Sequence, residues 1–211
     1  MKYCFVFFTC LFYLSVQSQE RKNIQKIKSQ ISLSENKIYI LCRGTKSKSG
    51  LIAQKFNIAD KNITHIGIAY KQNQRLVIFN VVDERNHINA LVIDSLESFI
   101  TQDTYYLSIW EAGNSPEDFN RMRKLLNHFR TKKIYFDASF NIRNDDTLYC
   151  SEFTAAILNA AFPPANRYPP TLKNLDDRFY QLFLRRKKLE YYPVDFFQAS
   201  GLFRKIFEVR F

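Results

Sequence analysis

One cysteine and one histidine of this chain lie in sequence surroundings that suit nucleophilic catalysis. Cys150 opens the stretch CSEFTAAILNAAF, which has the apolar spacing of a helix, and His65 lies on the predicted strand THIGIAY. Unpaired backbone N–H groups and the macrodipole at a helix start favour a thiolate over a thiol. A thiol nucleophile with an imidazole base is the pair that covalent acyl chemistry requires.

A third candidate, Asn80, follows from how the histidine strand is expected to pair. The next predicted strand, RLVIFNVV, should form a hairpin with it around the polar tip KQNQ, and a symmetric tip places His65 opposite Asn80. Asn80 would accept a hydrogen bond from one imidazole nitrogen and direct the other towards sulfur. Gly67 and Ala69 share this face and leave room, so we expect the Cys150 helix to pack there. The backbone N–H of Cys150 is a candidate oxyanion donor.

Cys150 also fits two other roles, a packed core side chain or one half of a disulfide with Cys42. His87 is expected in a loop and His128 on an exposed helix face. The chain contains no GxSxG, P-loop, HExxH or GxGxxG motif, so those enzyme classes have no support. The cysteines and histidines also lack the spacing of metal ligands, so we expect neither a metal nor another cofactor.

The first residues have the pattern of a secretory signal. Lys2 is followed by an apolar run through Val16, and small residues precede a predicted cleavage site after Ser18. The run is short for a membrane span, and an uncleaved anchor is the alternative. We therefore expect residues 1–18 to be a signal peptide and the protein to be exported, either periplasmic or secreted. Export places the remaining two cysteines in an oxidising compartment.

Composition and charge indicate one basic domain. The chain has 211 residues, 46% of them hydrophobic, and a formal net charge of +11. This length supports a single core, so we assign residues 20–211 to one domain. The basic side chains favour an anionic envelope surface as a partner, and they do not alternate with aromatic residues as in a nucleic-acid interface. The basic run at 185–188 is expected to be a solvated surface.

The apolar periodicity predicts a mixed α and β chain with no internal repeat. A capped helix should begin at Ser115, because proline and two acidic residues follow it directly. The other predicted elements are helices at 21–33 and 49–56, a helix from Cys150, strands at 37–43, 64–70, 75–82 and 105–110, and a closing helical turn and strand within 191–211.

Three stretches together resemble the YiiX-like permuted papain-fold amidases, relatives of the NlpC-type peptidases and of the lecithin–retinol acyltransferase group. They are THIGIAY, VIFNV and FDASFNIRNDDTLYCSEF, and the likeness runs from IYILCRG at 38–44 to YYPVDFFQASGLF at 191–203. The resemblance implies an α+β fold of the circularly permuted papain-like (NlpC-type) kind, with an antiparallel sheet or barrel packed on a central cysteine-bearing helix. It implies a His65–Cys150 dyad, with Tyr149 contributing to the oxyanion pocket. Many relatives carry Glu where this chain has Asn80.

These observations together predict an exported cysteine hydrolase with the candidate catalytic residues Cys150, His65, Asn80 and Tyr149. Its substrate would be a cell-wall peptide or a lipid-linked amide, cleaved through a thioester. One alternative is an acyltransferase that uses the same thioester. Another is a catalytically silent binding domain on the same fold, in which a disulfide between Cys42 and Cys150 would block the thiol.

Overall fold

The computed structural model describes residues 24–83, 89–142 and 147–211 of the chain. The predicted signal peptide and His87 lie outside these residues. The chain divides into two units, residues 1–33 and residues 34–211. In the first unit, residues 24–30 are helical, within the helix predicted at 21–33. All elements that carry the candidate site belong to the second unit.

A six-stranded antiparallel sheet is the centre of the second unit, with the strand order β10-β5-β1-β2-β3-β4. All the strands predicted from the sequence are present, and β4 is an additional strand. Among the residues that the structure describes, no pairing joins the two end strands of this order, so the sheet is open there. Its strands are β1 (Tyr39–Thr45), β2 (His65–Gln72), β3 (Arg75–Val81), β4 (Leu91–Asp94), β5 (Thr104–Ala112) and β10 (Phe203–Arg210).

Helices and two small sheets complete the α+β fold. The helices are α1 (Lys48–Phe56), α2 (Leu96–Phe99), α3 (Pro116–Arg130), α4 (Cys150–Ala161) and α5 (Arg178–Leu184), with 3-10 turns at Pro164–Asn166 and Phe196–Ser200. The small sheets pair β6 (Tyr135–Phe136) with β7 (Thr147–Leu148), and β8 (Thr171–Asn174) with β9 (Lys188–Tyr191). Among the described residues, no helix has both the length and the apolar character needed to cross a bilayer.

The two long helices begin and pack as their sequences dictate. The Ser115 hydroxyl accepts from the backbone N–H of Asp118, and the Asp118 carboxylate accepts from the N–H of Ser115, so α3 starts with a reciprocal cap. Apolar residues of α3 and α4 share one buried cluster with β2, and the Phe129 and Phe153 rings meet edge to face at 5.4 Å. This layer of two helices on the sheet forms the main core.

The sheet face on which α4 packs is the opposite of the predicted one. The core cluster contains Ile66, Ile68 and Tyr70 of β2. Alternation along the strand puts His65 and Gly67 on the other face. Large apolar side chains bury more surface than a histidine and two small residues, so they determine which face the helix covers. The small residues therefore do not make room for α4.

The register of the β2–β3 hairpin also differs from the prediction. Gln72 pairs with Arg75 and Ile68 with Phe79, so the turn contains only Asn73 and Gln74, both with positive φ (50° and 63°). The turn is therefore two residues long instead of the predicted four, and the pairing of the two strands is shifted by two residues. A shift of two keeps every side chain on its face. Asn80 stays on the face of His65 but lies opposite Gly67 when the ladder is extended at the same register.

Gly67 is required where it stands because β3 approaches it closely. A Cβ at this position would meet Ile78 Cγ2 at 2.8 Å and Asn80 Cβ at 3.2 Å. Both contacts involve atoms next to a sheet backbone, which have little freedom to move. The room left by this glycine is thus taken up by the neighbouring strand.

We predict that Gly67→Ala lowers the free energy of unfolding by about 1–3 kcal/mol, because overpacking at a rigid contact is costly. Urea denaturation measures this loss. Gly113→Ala is the matched control, since the nearest atom to its added Cβ would be the Leu202 carbonyl oxygen at 3.6 Å. Equal stability of both variants would contradict the packing argument.

Candidate active site

Cys150 is the first residue of α4, where the helix start meets the beginning of β2. The β2–β3 register begins at Ile68, so the backbone of Ile66 is not covered by β3. The backbones of Ile66 and of Ser151 lie close enough to the thiol to lower its pKa. Cys150 is partly exposed and not bonded to another cysteine. These contacts place the thiol of a partly exposed residue against the strand that begins with His65.

Opposing influences set the protonation of Cys150. Burial raises the pKa of its thiol and outweighs the backbone hydrogen bonds and the Arg43 charge, which lower it. The helix-start amides therefore act in the direction expected from the sequence. Burial nevertheless leaves the protonated thiol as the favoured form.

His65 is held by a hydrogen-bond chain that crosses two strands. Its Nε2 lies 2.8 Å from Asn80 Oδ1, and Asn80 Nδ2 donates to Asp94 Oδ2 at 2.9 Å. An ionised carboxylate only accepts hydrogen bonds, so Asp94 must face the amide nitrogen of Asn80. The amide oxygen then faces His65, whose Nε2 must carry the proton. This tautomer leaves Nδ1 as the basic nitrogen.

His65 is neutral over the physiological pH range. Burial, followed by the charge of Arg43, lowers its pKa to about 3, although the bond to Asn80 acts in the opposite direction. The imidazole ring also contacts the Phe99 ring, with 5.8 Å between centroids. A neutral imidazole with a free Nδ1 is in the state that a general base requires.

The Cys150 thiol and the His65 imidazole both feel the Arg43 charge, but no direct bond joins them. Among the described residues, no hydrogen bond joins the sulfur to either imidazole nitrogen. The two residues are related through Ile66, which follows His65 and whose backbone lies close enough to the thiol to lower its pKa. In the absence of substrate, catalytic hydrogen bonds are frequently long, and they shorten when the substrate binds.

Arg43 is a charged residue of the site that the sequence analysis missed. It pairs with His65 across β1 and β2, and its guanidinium carbon lies 4.9 Å from the Phe99 ring centroid. Its Nη1 donates to the Phe99 carbonyl. The same positive charge lowers the pKa values of both Cys150 and His65. The sequence signal that could have identified Arg43 was its position at the end of the predicted strand YILCR, two strands from Asn80.

Tyr149 lies directly before Cys150, but its hydroxyl is engaged on another side. The hydroxyl oxygen accepts from the backbone N–H of Tyr192 at 2.8 Å, and the Ser151 hydroxyl donates to the Tyr192 carbonyl at 2.6 Å. The Tyr149 ring packs edge to face on Phe140. Burial raises the pKa of the Tyr149 phenol. These contacts fix the first turn of α4 to the segment that follows β9.

The loop before His65 is fixed by a buried carboxylate that the sequence analysis also missed. Asp195 accepts hydrogen bonds from the backbone N–H groups of Ile58, Ala59 and Asp60 at 2.7–2.9 Å. Asn57 donates to the Ile63 carbonyl and accepts from the Val194 N–H. The chain therefore enters β2 from a rigid loop, so the backbone position of His65 is well defined.

Cys42 is free and fully buried on β1, on the face that packs against the helices. Burial raises the pKa of its thiol well above the ordinary value. Within residues 24–83, 89–142 and 147–211, no three His, Cys, Asp or Glu side chains are grouped to hold a metal ion. The candidate site therefore consists of the Cys150 thiol at the start of α4 and the hydrogen-bonded chain of His65, Asn80 and Asp94.

Comparisons with known proteins support the fold alone. No family model matches the chain, and no curated protein matches its sequence. Among solved structures, it is similar to a protein of Escherichia coli O157:H7 described as metalloprotein yiiX, DUF1105, with a TM-score of 0.64 and 14% sequence identity. The alignment covers 83% of this chain and 98% of that one. The word metalloprotein describes that protein. For this chain, the comparison shows an α+β fold similar to that of YiiX.

Proposed function

We propose that the protein is an exported cysteine hydrolase that cleaves an amide bond through a thioester on Cys150, on a permuted papain-like fold. One observation carries the proposal. The Asn80–Asp94 pair orients His65 so that Nε2 carries the proton, and His65 is followed by Ile66, whose backbone lies against the Cys150 thiol at the start of α4.

The first half of the reaction forms the thioester. The Cys150 sulfur attacks the amide carbonyl carbon while His65 Nδ1 accepts the thiol proton. The backbone N–H groups at the start of α4 stabilise the oxyanion, and Asn80 stabilises the imidazolium through Nε2–H. The C–N bond then breaks, and Nδ1 returns the proton to the leaving amine.

The second half hydrolyses the thioester. His65 Nδ1 accepts a proton from water, whose oxygen attacks the thioester carbonyl. The C–S bond breaks, and the proton returns to the sulfur as the carboxylic acid leaves. The net change is an amide plus water to an acid plus an amine. An alcohol or amine that replaced water would give acyl transfer from the same intermediate.

The resting protonation states determine how the thiol is activated. Both groups are neutral, because burial opposes both the thiolate and the imidazolium. Proton transfer therefore accompanies the attack, and no ion pair exists beforehand. A substrate carbonyl between the helix start and β2 would draw the thiol towards Nδ1, which supplies the hydrogen bond that the free protein lacks.

The proposal predicts that p-nitrophenyl acetate acetylates Cys150, detected as a mass increase on the peptide that contains it. Peptide p-nitroanilides and N-acyl amides should then be hydrolysed. Cys150→Ala should reduce hydrolysis more than about a thousandfold, and His65→Ala about a hundredfold or more. Cys42→Ala is the matched control, because this thiol is buried, and it should retain activity. An acetylated Cys150→Ala variant, or labelling of Cys42 alone, would refute the proposal.

Asp94→Ala should allow the Asn80 amide to rotate and the His65 proton to move between Nε2 and Nδ1. We expect kcat to fall about two- to tenfold, the value of one hydrogen bond, with little change in KM. Long-range ¹H–¹⁵N spectra should show one tautomer, Nε2–H, in the wild-type protein and a mixture in the variant. Asp103→Ala, which removes an exposed carboxylate elsewhere, should leave the spectrum unchanged. If the His65 tautomer were unchanged in Asp94→Ala, Asp94 would have no role in orienting Asn80.

The depressed pKa of His65 predicts a pH dependence of stability. In the unfolded chain, a histidine has a pKa of about 6.5. The folded value is about 3. Between these two pH values the unfolded state binds more protons than the folded state. The free energy of unfolding therefore increases with pH over this range, and it decreases as the pH falls from about 6.5 towards 3.

Urea denaturation at about pH 7 and pH 4.5 tests this sign. His65→Gln should lose less stability over that interval than the wild-type protein, because glutamine does not titrate. His128→Gln is the control, since His128 is exposed on α3, and it should behave as the wild type. The same loss in all three proteins would contradict the assignment to His65.

A further inference from the structure

The short helix α5 exposes three large apolar side chains. Phe179, Leu182 and Phe183 are 60%, 68% and 61% exposed. The Phe179 and Phe183 rings stack, with centroids 6.0 Å apart and planes 7° from parallel. Single exposed apolar residues are ordinary, but a contiguous set on one element marks a binding surface.

The opposite side of α5 already holds it on the protein. Leu184 is buried, and the Tyr180 ring meets the Phe56 ring edge to face at 5.2 Å. The Asp177 carboxylate caps the helix by accepting from the N–H of Phe179. The exposed side chains are therefore not needed to anchor α5.

A groove extends the apolar surface from α5 to α1. It has a volume of about 550 Å³ and is lined by Leu51, Ile52, Gln54, Lys55, Lys61 and Tyr180. Leu51 is 54% exposed. The lysines place positive charges at a groove whose other side chains are mostly apolar. We call α5 with this groove the α5 surface.

The α5 surface is also bordered by a basic segment. Arg185, Arg186, Lys187 and Lys188 follow α5 directly. Residues 171–190 contain six basic and three acidic side chains, one of which, Asp177, caps α5. Arg185, Lys187 and Lys188 are exposed. Exposed aromatic and leucine side chains beside lysine and arginine are the features by which proteins bind at the surface of an anionic bilayer.

We propose that the α5 surface docks on an anionic lipid bilayer. Charge complementarity favours lipid over a second copy of the chain, which would bring the same cations together. Phe179, Leu182 and Phe183 enter the region between headgroups and acyl chains, while Lys187 and Lys188 bind the headgroup phosphates. Leu51, Ile52 and Leu182 are aliphatic and cannot stack on nucleic-acid bases, so this surface fits acyl chains better than a nucleic acid.

Docking here would bring the candidate active site to the lipid. Leu184 belongs to the same buried cluster as Tyr149, the residue before Cys150. This part of the inference rests on the proposed function, and it favours a lipid-linked amide over a cell-wall peptide. The docking itself does not depend on catalysis.

Co-sedimentation with vesicles tests the proposal. The probes are phosphatidylcholine vesicles and vesicles in which about a third of the lipid is phosphatidylglycerol. The wild-type protein should bind the second kind at least about tenfold more tightly. Phe179→Ser/Phe183→Ser and Lys187→Glu/Lys188→Glu should each weaken that binding more than about tenfold. All variants keep the same N-terminal residues. Any contribution of the apolar stretch before Ser18 to vesicle binding is therefore the same in each variant and in the wild-type protein.

Matched controls separate this surface from general basicity. Tyr135→Ser removes an exposed aromatic elsewhere, and Lys124→Glu/Lys132→Glu makes the same change in net charge elsewhere. Both should bind as the wild type does, and so should Cys150→Ala, which keeps docking separate from catalysis. Equal losses in the control and test charge variants would overturn the proposal.

A fluorescence measurement identifies other occupants of the surface. Phe183→Trp should emit at shorter wavelength only when anionic vesicles are added. A short wavelength without lipid would show that another part of the chain covers the surface. Sedimentation of the wild-type protein as a dimer, abolished by Phe179→Ser/Phe183→Ser, would identify a second copy as the occupant. Either result would overturn the lipid proposal.

Discussion

The position of the first turn of α4 against the start of β2 is the constraint on which the candidate site depends. The apolar face formed by Ile66, Ile68 and Tyr70 buries the helix, and this burial fixes how far along β2 its N-terminus reaches. Cys150 is the first helical residue, so its sulfur lies against the Ile66 backbone beyond the end of the β3 ladder. Hydrogen bonds to both backbone groups of Tyr192 hold that turn in place. The Cys150 thiol is thus positioned by the packing of apolar residues and by hydrogen bonds to the chain at Tyr192.

The hydrogen bonds from His65 through Asn80 to Asp94 select one protonation state and one orientation of these side chains. A neutral imidazole has two tautomers, and an asparagine amide has two orientations. A carboxylate, as an acceptor alone, removes both ambiguities at once, because it orients the amide and the amide then selects Nε2–H. An asparagine paired with a carboxylate can therefore orient a histidine as well as a single carboxylate would. Arg43 adds a fixed positive charge near the thiol, which favours any negative charge that develops there.

Most of the fold could be predicted from local patterns, whereas the site could be predicted only in part. The capped α3, the strands and the Cys150 helix have clear periodicity and end signals. The hairpin register was wrong because positive φ at Asn73 and Gln74 allows a two-residue turn without glycine. Asn80 was still identified, since a shift of two residues preserves the face. Asp94 and Asp195 were missed because their partners are 14 and 135–137 residues away, and no local signal connects them.

Packing also relates the α5 surface to the thiol. The cluster that buries Leu184 of α5 contains Tyr149, and the Tyr149 hydroxyl holds the backbone at Tyr192, to which Ser151 of α4 also bonds. α5 and the residue before Cys150 therefore share one compact group of buried side chains. An amphiphile with its acyl chain in a bilayer would present its polar amide near the headgroups. An enzyme docked through Phe179 and Phe183 would meet that amide at the interface without withdrawing the chain from the membrane. A soluble peptide substrate would leave the exposed aromatic pair without a function.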